Sequence, residues 1–110
     1  MRGLRIIKDG NEVPVAGINQ SSMIYNAVLA ANTAMQYTVP TGAKYVNFSP
    51  SSGIIDLFMK LTGTAIAVPV SDITDGTGVQ VNPGLTDLRG ATYISLIATG
   101  AGIVEMSFFG

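Results

Sequence analysis

The stretch that decides the fold class is Val104-Glu105-Met106-Ser107-Phe108, close to the C-terminus. Its apolar residues occupy every second position, and polar residues stand between them. Successive side chains of a β-strand point to opposite faces, so this pattern predicts a strand with one buried and one exposed face. The same alternation recurs upstream over residues 35–39, 44–49 and 55–60.

Residues 93–98 are apolar on both faces except at Ser95, which predicts a strand in the centre of a sheet. Turn-forming residues lie between the strands: residues 40–42 and 49–53 separate pairs of strands, and residues 62–64 and 99–102 suit tight hairpins. Many short strands joined by Gly- and Pro-rich turns are typical of sandwiches. The sequence therefore predicts an all-β protein: a single β-sandwich, jelly-roll-like, over residues 21–110, preceded by an N-terminal arm or hairpin over residues 1–20.

Residues 21–35 are open to two interpretations. Ser21 or Ser22 could cap a helix, and alanine is frequent. However, Val28, Thr33 and several amide side chains weaken the helix, and the apolar residues show no period of 3.6. A strand or extended arm is favoured over the helix here.

Residues 69–90 are rich in Gly, Pro and Asp, which indicates a long loop. A loop of this length in a compact domain usually carries a function or an interface. Its apolar residues Ile73, Val79 and Leu85 are therefore candidate contacts with another protein surface.

The composition indicates a protein that hides much of its surface. Only 12% of the residues are charged while 47% are hydrophobic, and the mean hydropathy is +0.41. A typical soluble domain has about 25% charged residues. We therefore expect a homo-oligomer, with three copies as the favoured number, because closed symmetry hides apolar patches that a monomer would expose.

Several classes of function are disfavoured by what the 110 residues lack. Without histidine or cysteine the chain has neither the usual general base nor a thiolate, so we expect no enzyme, no cofactor and no metal site. No Lys/Arg cluster suits a phosphate backbone, so nucleic acid is not an expected partner. No apolar run approaches the length of a membrane span, and the first ten residues lack a signal-peptide pattern. We expect synthesis in a cytoplasm and no membrane partner.

Two sets of residues could form a binding site, but a simpler structural role accounts for each of them. Asp72 and Asp75 lie in a segment that faintly resembles a calcium loop, but the closing glutamate is missing, which favours a role as turn formers. The four tyrosines could form a platform for sugars, although strand aromatics more often pack against a sheet face. These tyrosines are Tyr25, Tyr37, Tyr45 and Tyr93.

The N-terminal segment is more positively charged than the rest of the chain. Arg2, Arg5 and Lys8 make its first eight residues positive, and strand-forming residues flank a turn at 9–11. We predict an arm that pairs with a neighbouring subunit or with the shell by strand addition. A hairpin folded onto its own sandwich is the alternative. The apolar residues assigned to this contact are Leu4, Ile6, Ile7, Val13 and Val15.

The order of motifs from about residue 31 resembles that of small structural proteins of tailed-bacteriophage particles, encoded among head genes. The resemblance rests on 37–43 (Tyr-Thr-Val-Pro-Thr-Gly-Ala), 45–49, 55–59, the Asp-Ile-Thr-Asp-Gly-Thr-Gly segment 72–78, Asn82-Pro83, 87–90 and the last two strands. It implies a β-sandwich head decoration (cement) protein or minor capsid protein, located in the virion and bound to the capsid protein. A tail- or fibre-associated module that binds host glycan is the alternative.

Overall fold

The computed structural model describes residues 23–110, which contain β-strands and no helix. The expectation of an all-β protein is thereby confirmed for this part of the chain. The strands are β1 (Met23–Leu29), β2 (Met35–Thr38), β3 (Tyr45–Pro50), β4 (Leu57–Lys60), β5 (Gln80–Val81), β6 (Leu85–Asp87), β7 (Tyr93–Ala98) and β8 (Gly102–Phe109).

The strands form two four-stranded antiparallel sheets, as a sandwich requires. Sheet I has the order β1-β8-β3-β6, and sheet II has the order β2-β7-β4-β5. Consecutive strands lie in different sheets at every connection but one, since only β4 and β5 are neighbours in the same sheet. The chain therefore crosses repeatedly between sheet I and sheet II, and the hydrophobic core lies between the two sheets.

The core follows from the alternation in the sequence. In β8, Val104, Met106 and Phe108 are buried, while Glu105 and Ser107 on the opposite face are only half-buried. The prediction that 93–98 forms a central strand is also confirmed, because β7 lies between β2 and β4. Both sheets contribute to one buried cluster: Ala27, Leu29, Val46, Phe48, Ile54, Leu57, Met59, Leu88, Ile94, Leu96, Ala98, Val104, Met106 and Phe108.

Both predicted tight hairpins are wrong. The Thr62-Gly63-Thr64 turn does not return the chain onto β4, whose two partners in sheet II are β7 and β5 (residues 80–81). Residues 99–102 join β7 in sheet II to β8 in sheet I, so they form a crossing between sheets. The turn residues correctly marked where the chain bends, but a bend has the same Gly-rich composition whether the next strand pairs with the previous one or crosses the core.

The strand predicted for residues 55–60 is shorter than its alternation indicated. It begins at Leu57, and Ile55 lies outside it with 72% of its surface exposed. Phe58, expected on the exposed face, is only 9% exposed.

Two other segments are resolved by the structure. Residues 23–29 form a strand paired with β8 along its length, which confirms the preference for strand over helix within those residues. Residues 69–90 are not a continuous loop, because β5 and β6 lie within them. Residues 1–22 lie outside the described residues, and so does the predicted arm or hairpin.

Asn82 fixes the junction between β4 and β5. Its backbone has a φ of 48°, in the left-handed region that asparagine tolerates better than most residues. Its backbone N–H donates to the Leu57 carbonyl oxygen (2.7 Å), and its side-chain oxygen accepts from the Leu57 N–H (2.9 Å). Its amide nitrogen also donates to the Asp56 carboxylate (3.3 Å). The backbone and side chain of Asn82 together thus hold the first residue of β4 in register with the strand that follows the long connection.

Candidate interaction surfaces

The outer face of sheet I exposes an unusual amount of apolar surface. The strand registers place alternate residues of β1, β8, β3 and β6 on the side away from the core. Such positions in an antiparallel sheet are normally polar. Here they include five large apolar residues with relative exposures between 42% and 71%: Ile24, Val28, Tyr45, Leu85 and Ile103.

Few charged groups interrupt this face. Glu105 lies in its middle and accepts a hydrogen bond from the Ser107 hydroxyl (3.0 Å). Asp87 lies on the last strand, where its carboxylate accepts from the Arg89 backbone N–H (2.9 Å). Each carboxylate therefore accepts a hydrogen bond from the residue two positions further along the chain. The face presents aliphatic groups around a polar centre that includes Asn26. This pattern is suited to contact with another protein rather than to binding of a charged ligand.

The outer face of sheet II is different, because it is covered. Phe58, Ser95 and Ile97 alternate with core residues and point away from the core, yet their exposures are 9%, 0% and 5%. The Ser95 hydroxyl accepts a hydrogen bond from the Gln36 side chain (3.4 Å), so this buried polar group has a partner.

The connection of residues 61–79 lies against sheet II at two points. A Cβ on Gly63 would lie 3.0 Å from the ring of Tyr93, so this part of the backbone packs closely on β7. The Lys60 ammonium donates to the carbonyl oxygen of Thr77 (2.9 Å), which ties the end of the connection to β4. The outer residues at the centre of sheet II are thus buried and the connection is tied to its strands, whereas five large apolar residues on the outer face of sheet I are exposed.

The 61–79 connection forms a second apolar surface. Its residues Ala65 to Val70 contain no charge, and Val70 is 97% exposed. Ile73 and Val79 line a cavity of about 340 Å³ together with Val68 and neighbouring residues. The cavity is mostly aliphatic, and it offers few polar groups that would orient a small ligand.

Asp75 acts as a turn former in this connection. Its carboxylate accepts hydrogen bonds from the backbone N–H (3.1 Å) and the hydroxyl (2.6 Å) of Thr77, and these bonds lower the pKa of the carboxyl group. The lowered pKa means that this small contribution to stability is present at neutral pH and is lost as the pH falls through that pKa. Among residues 23–110 no group of three or more His, Cys, Asp or Glu could hold a metal ion.

The four tyrosines do not form one platform. The Tyr25 hydroxyl donates to the carbonyl oxygen of Thr38 (3.1 Å), which ties β1 to β2 across the open side of the sandwich. Tyr37 packs against the core, and burial raises the pKa of its phenol. Tyr45 (42% exposed) lies on sheet I and Tyr93 (46% exposed) on sheet II. The arrangement does not favour the sugar-stacking hypothesis.

The three predicted contact residues that the structure describes fall into two places. Ile73 (46% exposed) and Val79 (half-buried) lie together on the 61–79 connection, whereas Leu85 (67% exposed) lies on the outer face of sheet I. The structure therefore does not bring these three together. The remaining five lie outside the described residues: Leu4, Ile6, Ile7, Val13 and Val15.

Three exposed residues of the sheet I face were not predicted as contact residues from the sequence: Ile24, Val28 and Ile103. Each is one position away from a residue that belongs to the core pattern, so alternation alone places it on the outer face. An aliphatic residue at such a position is the signal that could have identified this surface.

Comparison with known proteins gives no relative: no protein-family model matches the chain, and neither does any curated protein or solved structure. The described residues include no helix with the length and apolar character needed to cross a membrane.

Proposed function

We propose that this protein is a structural component of a bacteriophage particle, and specifically a head decoration protein that stabilises the capsid through contacts between subunits. The observation that carries the proposal is the uncovered outer face of sheet I, on which five large apolar residues are exposed around few charges. Faces of this kind mark protein–protein contacts, because an isolated soluble domain rarely maintains them.

The strand order supports a jelly roll, the finer fold predicted from the sequence. Eight strands in two four-stranded sheets, with orders β1-β8-β3-β6 and β2-β7-β4-β5, match the double-sheet architecture of that fold. Jelly rolls occur in viral capsid proteins and in lectins. Because a fold hosts many functions, this agreement adds weight to a particle role without defining it.

The proposed role is non-catalytic, requires no cofactor, and places the protein in the virion after assembly in the host cytoplasm. Its partners are the phage capsid protein and further copies of itself. A particle held by many repeated contacts suits a subunit with 12% charged residues, since each contact buries apolar surface. A glycan-binding tail or fibre module is less well supported, because the tyrosines do not form one surface.

We expect purified protein to co-sediment with emptied heads of the encoding phage and to saturate at a fixed number of copies per head. Leu85→Glu places a charge on the exposed face and should weaken binding by about tenfold or more, the loss expected when an apolar interface position is charged. Thr41→Glu is the matched control, because Thr41 is exposed in the turn between β2 and β3.

Absence of any binding to heads would contradict the proposed function. Equal binding by Leu85→Glu and Thr41→Glu would contradict the assignment of the sheet I face. Binding to immobilised glycans in place of heads would favour the tail or fibre alternative.

The N-terminal arm remains a prediction that deletion of residues 1–17 tests. We expect the truncated protein to keep a cooperative thermal transition, since the core cluster found among residues 23–110 spans residues 27–108, and to lose binding to heads. Strand addition contributes main-chain hydrogen bonds that the shortened chain cannot make. A truncated protein that binds heads as before, or that fails to fold, would show that the arm interpretation is wrong.

A further inference from the structure

Among residues 23–110, strand β1 is an edge strand that lacks the charges and prolines that normally protect an edge. It pairs with β8 on one side, and no other strand among residues 23–110 lies beside it. It has seven residues (MIYNAVL), none of which is charged and none of which is proline. Exposed edges are usually short, charged, bulged or interrupted by proline, because they otherwise pair with other chains.

The other edge strands are protected by their length. β6 closes sheet I with three residues, and β2 and β5 close sheet II with four and two. A strand of two to four residues offers few hydrogen bonds to an added chain. β1 is therefore the favoured site for strand pairing in the described part of the chain.

The side chains of β1 are self-complementary in an antiparallel arrangement. Ile24, Asn26 and Val28 lie on the outer face of sheet I, and Ile24 and Val28 are 50% and 71% exposed. Two copies of β1 centred on Asn26 would place Ile24 of each copy opposite Val28 of the other, and the two Asn26 side chains opposite each other. Pairs of β-branched residues stabilise neighbouring strands in this position.

We propose that β1 pairs with β1 of a second copy of this chain, antiparallel and centred on Asn26, so that two copies of sheet I join into one continuous sheet. Charge favours this occupant, because β1 brings no like charges together. The nearest carboxylate on this face, Glu105, lies one strand further in on β8. With strands about 4.8 Å apart, the two Glu105 residues would be about 14 Å apart, beyond the screening length in physiological salt.

The contact also adds to an apolar surface. Ile103 is paired with Val28 in sheet I and is 48% exposed. Joining the two sheets makes the Ile24, Val28 and Ile103 groups of both copies contiguous. The proposal holds whether or not the protein is part of a phage particle, because it rests on the strand alone.

The symmetry of this contact distinguishes it from the trimer that the composition favours. A contact between identical strands is isologous, so it closes at two copies. A dimer, or a hexamer built from three such dimers, contains it, whereas a simple trimer does not.

The test uses the absence of native cysteine. Residues directly opposite in an antiparallel pair have Cα atoms about 4.5–5.5 Å apart, within the range that a disulfide spans. We expect full-length Asn26→Cys to form a disulfide-linked dimer under mild oxidation about tenfold faster than Ser49→Cys. Ser49 is an exposed residue on the same face of sheet I, on β3, away from the β1 edge.

Asn26→Lys provides the second measurement, because two ammonium groups opposite each other destabilise the pairing. We expect analytical ultracentrifugation to give a dimer or hexamer for the wild type and Ser49→Lys, and dissociation at β1 in Asn26→Lys. Equal cross-linking of the two cysteine variants, or a wild-type mass of three copies, would overturn the proposal. Cross-linking of Asn26→Cys that appears only after deletion of residues 1–17 would overturn it too, since it would identify that segment as the occupant.

Discussion

We expect the Gly100→Ala variant to lose about 3 kcal/mol in its free energy of unfolding, the upper range for one methyl group added to a packed interior. Gly100 lies in the crossing from β7 to β8, where a Cβ would collide with the carbonyl oxygen of Gly53. Gly53 is in the reciprocal situation, because its own Cβ would collide with the carbonyl oxygen of Ala101. The colliding atoms belong to the backbone, so no side-chain rotation relieves the contact.

Urea denaturation followed by circular dichroism measures this loss, with Gly84→Ala as the matched control. A Cβ on Gly84 would have no atom within 4 Å, and Gly84 does not have a positive φ. We expect Gly84→Ala to remain within about 0.5 kcal/mol of the wild type or to be slightly more stable, because alanine restricts the unfolded chain. Equal transition midpoints for the two variants would contradict the packing that we describe for Gly100.

The strands could be predicted from the sequence wherever one face is buried. Val104, Met106 and Phe108 must lie on one side of a strand, and burial in a common core is what makes that side apolar. The pairing of strands could not be predicted in the same way. Residues 99–102 have the composition of a hairpin, but they cross between sheets, because the identity of the next partner depends on contacts distant in the sequence.

The candidate surface was only partly predictable for a related reason. Leu85 was selected because it lies in an apparently loop-like segment, whereas its actual position is on β6, on the outer face of sheet I. Ile24 and Val28 were not selected, because residues 21–35 were open to both helix and strand. Once β1 is known to be a strand, alternation alone places both on the exposed face.

The Leu88→Ala variant should lose about 2–5 kcal/mol in its free energy of unfolding, the usual cost of a cavity at a fully buried leucine. Leu88 has 0% of its surface exposed and belongs to the core cluster. Its backbone is fixed on both sides, since its N–H donates to the Lys44 carbonyl oxygen and its own carbonyl accepts from the Ala91 N–H, each at 2.9 Å. The surroundings cannot easily collapse onto the vacated space, because this residue anchors the chain between β6 and β7.

Leu85→Ala is the matched control for Leu88→Ala. Leu85 and Leu88 stand three residues apart in a segment whose composition predicts a loop, and nothing local distinguishes them. Their positions in the chain separate them, because residues three apart in extended chain point to opposite sides, and the burial of residues 85–88 alternates from exposed Leu85 to buried Leu88. We expect Leu85→Ala, which removes a side chain that is 67% exposed, to stay within about 0.5 kcal/mol of the wild type. Similar losses in urea denaturation for both variants would mean that Leu85 is buried in solution, and in that case the outer face of sheet I would not be available for a partner.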